Sequence, residues 1–517
     1  MTARAVTAVL GGGLLLLSAI DSPSHARFDA AAFGSRSATG EFLEDGRQQT
    51  VRQPVRQRDP TRRLYEQFCA ACHGETLAGG RAQSLLDEVW VYGGDDASLT
   101  RTIRGGRAGT LMPAFKGALT DVQIRTLVVY IREQAVRARG KPPTVPDPAG
   151  MVVDSERHRF KFEVVADGLE TPWAIAFLPD GRLLVTERPG RLRILTFGAD
   201  TGAPTTPLPA PIDGTPPVWA HQDGGLFDVE VHPDYARTGW IYLSYSEAGE
   251  NKSSMTVIIR GRLRDGRWAD QETLYRAPPE LYWASNIHYG SRFLFDRDGQ
   301  LLYSIGDRGR EMDSQDLSKP NGKIHRVRDD GSLPPDNPLV GRRGALGSIW
   351  SYGHRNPQGL AFHPVTGRLW ATEHGPRGGD ELNRIEPGRN YGWPIITHGI
   401  QYDGKTIRAT TSRRGMEQPL VHWTPSIAPS AIMFYTGDRF PRWKNDLFVT
   451  ALAGEALRRL VTEGDKVVHQ EVLFKGFGRV RDVVTGPDGH VYVALQVPGV
   501  QVSATTPGRI VRIVPVQ

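Results

Sequence analysis

The chain has 517 residues, of which 63 are Lys or Arg and 57 are Asp or Glu, so its formal net charge at pH 7 is only +6. It contains no basic block with interleaved aromatic residues, so a role in binding nucleic acid is unsupported. A basic surface favours docking to an acidic partner, but this charge excess is too small to require one.

The first segment has the composition of a secretory signal. Residues 1–26, "MTARAVTAVLGGGLLLLSAIDSPSHA", contain Arg4, an apolar run around "LLLL" and small residues ending at Ala26. This pattern predicts a signal peptide with an S-H-A cleavage site. Its apolar core is short for a membrane span, and an uncleaved anchor is the alternative. Residues 27–59 are polar, rich in Arg and Gln and without periodicity, which predicts a disordered lead-in.

Both cysteines of the chain lie in "FCAACHGETLAGG", residues 68–80. The order C-x-x-C-H is the attachment pattern of c-type haem: the thiols of Cys69 and Cys72 add to the haem vinyl groups, and His73 ligates the iron. A small disulfide, half of a zinc site and a thiol redox pair are the alternatives. The surrounding sequence lacks the further ligands of a zinc site and the βαβ setting of a thioredoxin-like pair. Covalent haem is attached outside the cytoplasm, so we expect the mature protein in a bacterial periplasm.

A second axial ligand for the haem iron is predicted at Met112, in the Gly-rich stretch "GTLMPAFKGALT". A thioether ligand raises the haem potential, as in Met/His cytochromes. Helices are predicted over residues 61–73 and 120–138, and the second begins with a T-x-x-Q capping box at Thr120. Residues 60–139 together closely resemble a small class I cytochrome c domain.

Four prolines in "GKPPTVPDPAG", residues 140–150, predict a stiff linker and a domain boundary. Residues 151–517 then repeat one unit six times: a short apolar strand, a turn of Pro, Asp or Gly, and an alternating strand. The six units begin at Trp173, Leu226, Ser291, Gln358, Ser430 and Arg481. This repetition predicts a six-bladed β-propeller, whose ring the last strand, "GRIVRIV", closes. The predicted fold is therefore multidomain, with a small all-α cytochrome c domain followed by an all-β six-bladed propeller.

Five stretches between the predicted strands carry a family resemblance: "NIHYGSR", "SIGDRGR", "SYGHRNPQGLAF", "TEHGPRGGDELNRIEPGRNYGWP" and "GRVRDVVTGPDG". Together they resemble the PQQ-dependent soluble glucose dehydrogenases and the wider glucose/sorbosone dehydrogenase family, over about residues 160–515. The resemblance implies oxidation of a sugar by hydride transfer to PQQ. It also implies positions for the cofactor, the catalytic base and calcium.

The positions matching the family's PQQ contacts are mostly arginines. PQQ bears three carboxylates, and arginine forks suit carboxylates. By the resemblance, Arg355, Arg479 and Arg481 contact the cofactor as cations, and Asn356 and Gln222 contact it as neutral partners. Arginines on loops are more often solvated surface charges, but these three fall inside the family motifs.

The position matching the family's general base is His288, which would take the proton of the substrate hydroxyl. Asp307 matches the carboxylate that orients this histidine. Arg355 is also expected to stabilise charge that develops on the quinone oxygen. A lone histidine would be a packed or surface residue, and it is the pairing of the two motifs that favours catalysis.

Calcium sites are implied at two places. The family binds calcium through backbone carbonyls at a Gly-Pro pair, here Gly375 and Pro376, and calcium prefers oxygen ligands. Glu381 and Tyr391 match a second, structural calcium site. The alternative for the acidic Asp380–Glu381 pair is a solvated turn.

Two positions depart from the family pattern. The family places a lysine on PQQ where this chain has Ala453, so one cofactor cation is lost unless Arg458 or Arg459 reaches the site. The residue before His288 is Ile287, where the glucose enzymes carry a carboxylate, which is expected to alter substrate preference.

The predicted protein is a periplasmic quinohaemoprotein dehydrogenase that oxidises an aldose, a sorbosone-like aldehyde or a related polyol. Electrons pass from substrate to PQQ, then to the haem, and on to an external cytochrome or oxidase. A haem on the same chain has a raised effective concentration near the quinone. A calcium-dependent lactonase-type propeller and a non-catalytic binding propeller, each fused to a cytochrome, are the alternatives.

Overall fold

The computed structural model describes residues 59–87, 89–140, 145–196, 208–405, 407, 410–497 and 507–516. The predicted signal and nearly all of the predicted lead-in lie outside these residues. Among the helices of the described ranges, none combines the length and apolar character needed to cross a bilayer.

The N-terminal part of the described chain is helical. Its helices are α1 (Pro60–Phe68), α2 (Ala70–His73), α3 (Asp96–Gly105) and α4 (Asp121–Ala138). Thr120 and the side chain of Gln123 form the predicted capping box at the start of α4. The helix predicted over residues 61–73 is interrupted at Cys69, which separates α1 from α2. Helix α3 was not predicted; Asp95 caps it by accepting a hydrogen bond from Ser98 N at 2.8 Å.

One apolar face of α4 forms the centre of the helical domain. Ile124, Leu127 and Ile131 are buried on it, as their helical spacing predicts. The ring of Tyr65 in α1 is fully buried and lies 5.5 Å from the ring of Tyr130. The same cluster includes Phe68, Cys69, Met112 and Phe115, so the haem motif and the Met112 loop pack onto one core.

The rest of the chain forms six antiparallel sheets, which confirms the predicted six-bladed propeller. Blade 1 contains β3 (Pro172–Phe177), β4 (Leu183–Glu187) and β5 (Arg191–Leu195). Blade 2 contains β6 (Leu226–Val231), β7 (Ile241–Ala248), β8 (Ser254–Arg264) and β9 (Arg267–Tyr275), with the short helix α5 (Tyr235–Thr238) between its first two strands. Blade 3 contains β10 (Phe293–Phe295), β11 (Leu301–Ile305), β12 (Lys323–Val327) and β13 (Ile349–Tyr352).

The remaining blades follow the same order. Blade 4 contains β14 (Pro357–Phe362), β15 (Leu369–Glu373), β16 (Asp380–Ile385) and β17 (Val421–Trp423). Blade 5 contains β18 (Pro429–Phe434), β19 (Leu447–Ala451), β20 (Ala456–Glu463) and β21 (Lys466–Lys475). Blade 6 combines both ends of the propeller: β22 (Arg479–Thr485), β23 (Val491–Gln496) and β24 (Pro507–Pro515) with β2 (Arg159–Glu170) and β1 (Val152–Asp154).

The ring closes where β2 pairs with the last strand, β24, in antiparallel register, with Phe162 opposite Ile513. This is the closure predicted for "GRIVRIV". Pairing the first and last strands removes two free sheet edges from the ring. Phe160 and Phe162 are fully buried there, and their side chains join the largest aromatic core of the propeller.

A buried ionic network connects residues at the innermost strands of four blades. Arg292 Nη1 donates to Asp228 Oδ1 at 2.9 Å and to Asp482 Oδ1 at 3.2 Å. Asp482 also accepts from Ile175 N at 2.8 Å. These contacts join blades 1, 2, 3 and 6. A buried charge left without its partner is strongly unfavourable, so the network favours one arrangement of the blades.

Candidate active site and haem site

A cavity of about 250 Å³ lies among the loops at one end of the inner strands. Four of the side chains predicted from sequence line it together: His288, Asn356, Arg479 and Arg481. Its other lining residues are Thr171, Trp173, Arg188, Asp223, Phe227, Tyr289, Gly290, Gln358, His374, Ala428, Leu452 and Gln496. Strands or adjoining loops of all six blades contribute residues to one concave polar site, as is usual for a small-molecule pocket.

His288 and Asp307 form a hydrogen-bonded pair at this cavity. Nδ1 of His288 lies 2.7 Å from Asp307 Oδ1, and Trp393 Nε1 donates to the other carboxylate oxygen at 2.8 Å. Gly309 N also donates to Asp307 Oδ1 at 2.8 Å. Because the carboxylate can only accept, Nδ1 of His288 carries the proton and Nε2 has the free lone pair. The pair therefore presents a base at Nε2.

The environment keeps the imidazole of His288 neutral. Burial lowers its pKa below the ordinary value of 6.5, and the charge of Arg355 lowers it further, against the opposing effect of Asp307.

The backbone of His288 is left-handed, with φ of 55°. Such a conformation is uncommon outside glycine and asparagine. The His288 carbonyl also approaches Gly306 so closely that a Cβ at Gly306 would lie 2.1 Å from it.

The arginines make the cavity cationic. Arg188, Arg479 and Arg481 line it with only one carboxylate, that of Asp223. Burial lowers the pKa of Arg481, and the neighbouring guanidiniums of Arg292 and Arg479 lower it further. Within the described part of the chain, Arg481 Nε is buried without a hydrogen-bond partner. A buried guanidinium with an unsatisfied N–H, such as that of Arg481, is costly, so this arrangement suits an anionic ligand that supplies several carboxylates.

Arg188 and His374 line the cavity but were not predicted from sequence. Each immediately follows the second strand of its blade: β4 ends at Glu187 and β15 ends at Glu373. Leu452 follows β19 in the same way and also lines the cavity. Aligning the six repeats on their second strands would have marked this position in each blade. Burial and the arginines lower the pKa of His374 well below 6.5, so its imidazole is neutral.

Two other predicted contacts, Gln222 and Arg355, are not among the residues that line the cavity. Gln222 is exposed, and its carbonyl accepts a hydrogen bond from Arg188 Nη1. Arg355 is buried, but its Nη1 is directed to the carbonyl of Gly375 at 2.7 Å, and its guanidinium lies 5.4 Å from the ring of Trp393. In this structure Arg355 therefore contacts the Gly375 loop.

The position of the family lysine does not supply a cation. Ala453 is exposed, and Arg459 pairs with Asp446 at 2.7 Å and with Glu471 at 2.8 Å. Arg459 therefore does not replace the missing cation in this structure, since carboxylates already neutralise its charge. Arg458 is not among the cavity-lining residues. The third cation at the cavity is instead Arg188.

The carbonyls predicted to hold calcium already have hydrogen-bond donors. That of Gly375 accepts from Arg355, and that of Pro376 accepts from Ser426 Oγ at 2.8 Å. Calcium here requires the Arg355 guanidinium to leave Gly375, because two cations do not share one carbonyl favourably. The calcium site at Gly375 and Pro376 stays a prediction.

The second predicted calcium site lies in blade 4. Burial and the charge of Glu373 raise the pKa of Glu381 to about 8, and Asn383 Nδ2 donates to both carboxylates at 3.1 Å. The hydroxyl of Tyr391 donates to Arg384 O at 2.6 Å and accepts from Glu386 N at 2.8 Å, so it already has one partner of each kind. No cluster of three His, Cys, Asp or Glu side chains suited to a metal occurs within the described ranges. The alternative of a solvated turn is wrong for Asp380, which is buried at the start of β16.

The imidazole of His73 is held by a backbone carbonyl. His73 Nδ1 lies 3.0 Å from the carbonyl of Gln83, to which only an N–H can bond, so Nε2 is left for iron. Met112 is half-buried on the same core cluster as Cys69. Its loop folds against Gly106, where a Cβ would lie 2.9 Å from the Met112 carbonyl. The residues present therefore fit a haem held by Cys69, Cys72, His73 and Met112.

Replacing Met112 with Ala is expected to lower the haem reduction potential, because the thioether favours the ferrous iron. Redox titration of the full chain, followed by absorbance, measures the potential. The weak sulfur-to-iron band of the oxidised form should disappear as well. Leu111→Ala, at the exposed neighbouring position, is the control. A potential and spectrum unchanged in Met112→Ala would exclude Met112 as the ligand.

The fold and site together define the class: a six-bladed propeller with a cationic cavity and a His–Asp pair, joined to a C-x-x-C-H helical domain. The family model for glucose/sorbosone dehydrogenases matches residues 169–501, and a model for subunit III of cbb3-type cytochrome c oxidases matches residues 56–131. The chain therefore belongs to the glucose/sorbosone dehydrogenase family and carries an N-terminal cytochrome c domain of the cbb3 subunit III type. The family and the fused cytochrome predicted from sequence are confirmed.

Relatives of each part are similar over most of that part. An aldose sugar dehydrogenase of Escherichia coli K12 is 43% identical over 337 residues, covering 64% of this chain and 88% of the relative. The PQQ-bound aldose sugar dehydrogenase of Streptomyces coelicolor is 27% identical, with a TM-score of 0.55 over 71% of this chain and 100% of that chain. The subunit CcoP of the cbb3-type oxidase of Azospirillum brasilense is 44% identical over 75 residues, covering 13% of this chain and 25% of the relative.

Proposed function

We propose that this protein is a periplasmic PQQ-dependent sugar dehydrogenase that passes its electrons through a covalent haem to an external cytochrome or oxidase. One observation carries the proposal: the hydrogen-bonded His288–Asp307 pair opens onto the same cavity as the guanidiniums of Arg479 and the buried Arg481. A base beside a polycationic pocket suits oxidation of a hydroxyl next to an anionic cofactor. The periplasmic location rests on the signal-like residues 1–26 and on the covalent haem motif.

The cavity suits PQQ through its charge. The PQQ carboxylates would be bound by Arg188, Arg479 and Arg481. Neutral contacts would come from Asn356 and Gln222. When bound, PQQ supplies an ortho-quinone that accepts two electrons as a hydride. Calcium at Gly375 and Pro376 belongs to the same proposal, with Arg355 turned from Gly375 towards the cavity. A structural calcium at Glu381 and Tyr391 would offset the two buried carboxylates there.

The chain's own catalytic work is proton transfer. Nε2 of His288 takes the proton of the substrate hydroxyl as the hydride leaves the same carbon. Asp307 fixes the ring and stabilises the imidazolium that forms, and Trp393 holds the carboxylate in place. The cationic guanidinium of Arg355 would stabilise negative charge that develops on the quinone oxygen.

An aldose is the substrate class we propose, with a sorbosone-like aldehyde or a polyol as the other members of the test panel. The aldose sugar dehydrogenases similar to this propeller support the choice. Oxidising one sugar hydroxyl releases two electrons and two protons. A haem carries one electron at a time, so two transfers to the external acceptor complete each turnover.

Replacing Arg481 with Gln is expected to weaken PQQ binding by roughly 10- to 100-fold, because a charge-assisted hydrogen bond contributes about 1.5–3 kcal/mol. Titration of cofactor-free protein with PQQ, followed by fluorescence, measures the affinity. Arg458→Gln, at a half-buried arginine that does not line the cavity, is the matched comparison and should bind PQQ normally. Equal affinity in wild type and Arg481→Gln would remove Arg481 from the cofactor site.

The two alternative functions give different results with the same protein. A lactonase-type propeller would hydrolyse lactones without PQQ, and a binding propeller would show no turnover. Sugar-dependent dye reduction only after PQQ and calcium are added supports the dehydrogenase. Lactone hydrolysis that is unaffected by PQQ would contradict it.

A further inference from the structure

A short loop connects the candidate cofactor cavity directly to the cytochrome domain. Residues 374–379 follow β15 and precede β16. At one end of the loop, His374 lines the cavity, and the next carbonyl, that of Gly375, accepts from Arg355. Three residues after His374, the side chain of Arg377 lies against the helical domain. The loop therefore runs directly from the cavity wall to the surface that contacts the cytochrome domain.

Every nitrogen of the Arg377 guanidinium donates to the cytochrome domain. Nε and Nη2 donate to the two carboxylate oxygens of Glu133 on α4, each at 2.7 Å. Nη2 also donates to Asp59 at 3.1 Å, and Nη1 lies 3.3 Å from Thr61 Oγ1. Asp59 is in addition the N-cap of α1. Arg377 is 8% exposed, so this bidentate pair is largely removed from water.

The propeller backbone also lies close to side chains of the helical domain at this contact. A Cβ at Gly378 would lie 2.9 Å from Val129 Cγ2, and the φ of Gly378 is +77°, so only glycine fits there without strain. A Cβ at Gly404 would lie 2.7 Å from Thr61 Oγ1. Beside them, Arg125 Nη1 on α4 donates to the carbonyl of Thr397 at 2.8 Å. These contacts fix α4 against the loop through several independent points.

We propose that Arg377 is a positioning residue for electron transfer, which holds α4 of the cytochrome domain on residues 374–379 and so keeps the haem at one short distance from the cofactor cavity. The proposal rests on the function proposed above. Electron tunnelling falls steeply with distance, so a fixed contact at the cavity wall gives a faster transfer than a domain on a mobile linker. Arg377 takes no part in the oxidation of the sugar itself.

Charge complementarity makes the contact specific. The cytochrome domain presents two carboxylates, those of Glu133 and Asp59, to the single guanidinium of the propeller. Removing Glu133 leaves Arg377 with only the longer Asp59 contact, so the buried guanidinium is poorly compensated. Neutralising Glu133 should therefore weaken the docking of the domain without touching the cavity.

The test compares the full-length wild type with Glu133→Gln and Arg377→Ala. Glu66→Gln is the matched control, because Glu66 pairs with Arg62 on α1 within the same helical domain. Each protein, loaded with haem and PQQ, is mixed with glucose in a stopped-flow instrument without oxygen, and haem reduction is followed by absorbance. Dye reduction at the propeller is measured in parallel. Small-angle X-ray scattering of PQQ-free protein reports whether the domains stay together.

Glu133→Gln and Arg377→Ala are expected to slow haem reduction by about tenfold or more and to enlarge the radius of gyration, with dye reduction unchanged. Glu66→Gln should behave as wild type. Wild-type haem reduction that is as fast in both interface variants would overturn the role of Arg377. No haem reduction in wild type would instead overturn the proposed electron path, and with it this inference.

Discussion

Replacing His288 with Gln is expected to lower turnover by about 10²–10⁴-fold at saturating PQQ, because a general base contributes that much to rate. The amide keeps a similar shape but cannot take a proton, so PQQ affinity should change little. Steady-state dye reduction over a panel of aldoses measures the loss. His469→Gln, at an exposed position on β21, is the control. Wild-type turnover in His288→Gln would show that another group is the base.

The pH dependence gives a second check on His288. The neutral imidazole is the active form, and its pKa lies below 6.5 because of burial and the nearby Arg355 charge. Activity should therefore be full above pH 6.5 and fall only as pH drops through that lowered pKa. Asp307→Asn removes the carboxylate that favours the imidazolium, so the acid limb should move to lower pH. An acid limb above pH 6.5 in the wild type would contradict this assignment.

The variant Cys69→Ala/Cys72→Ala, which cannot attach haem, is expected to keep PQQ-dependent dye reduction but lose most of its reduction of a purified small cytochrome c. A tethered carrier acts at about millimolar effective concentration, so the loss should reach roughly two orders of magnitude. Initial rates to the dye and to the cytochrome, at equal PQQ occupancy, give the comparison. Equal rates to the cytochrome with and without haem would show that the haem is not the relay.

This full-length variant is a sharper test than cutting the chain at the linker. A fragment of residues 150–517 is still expected to fold, because the propeller closes on itself through β2 and β24. Cutting there would nevertheless expose Arg377 and Gly378, which the cytochrome domain covers. A loss of activity in the fragment could then come either from the missing haem or from the exposed loop.

The inner strands of the blades were predictable because their pattern recurs. Each repeat places an apolar strand and an alternating strand on either side of a turn, and the structure has β3–β4, β6–β7 and their four counterparts at those positions. The outer strands, such as β9 with its exposed polar residues, carry little apolar signal. Helix α3 was missed for the same reason, since only a few of its ten residues are buried.

The catalytic pair was predictable from motifs, whereas the complete cation set was not. His288 and Asp307 are 19 residues apart and lie in two recognisable stretches. Arg188 lies in a blade that contributes no other predicted contact, so only the repeat alignment could have found it. The contact between Glu133 and Arg377 spans 244 residues and depends on how two domains dock, which no local pattern encodes.

The most direct test of the central claim is whether sugar reduces the haem through the propeller of the same molecule. Wild-type protein with ferric haem, PQQ and calcium is mixed with glucose without oxygen, and the ferrous haem band is followed at several protein concentrations. If the propeller of the same chain reduces the haem, haem reduction requires both PQQ and sugar, and its rate constant is independent of protein concentration. Haem that stays ferric, or a rate that rises in proportion to protein concentration, would contradict it.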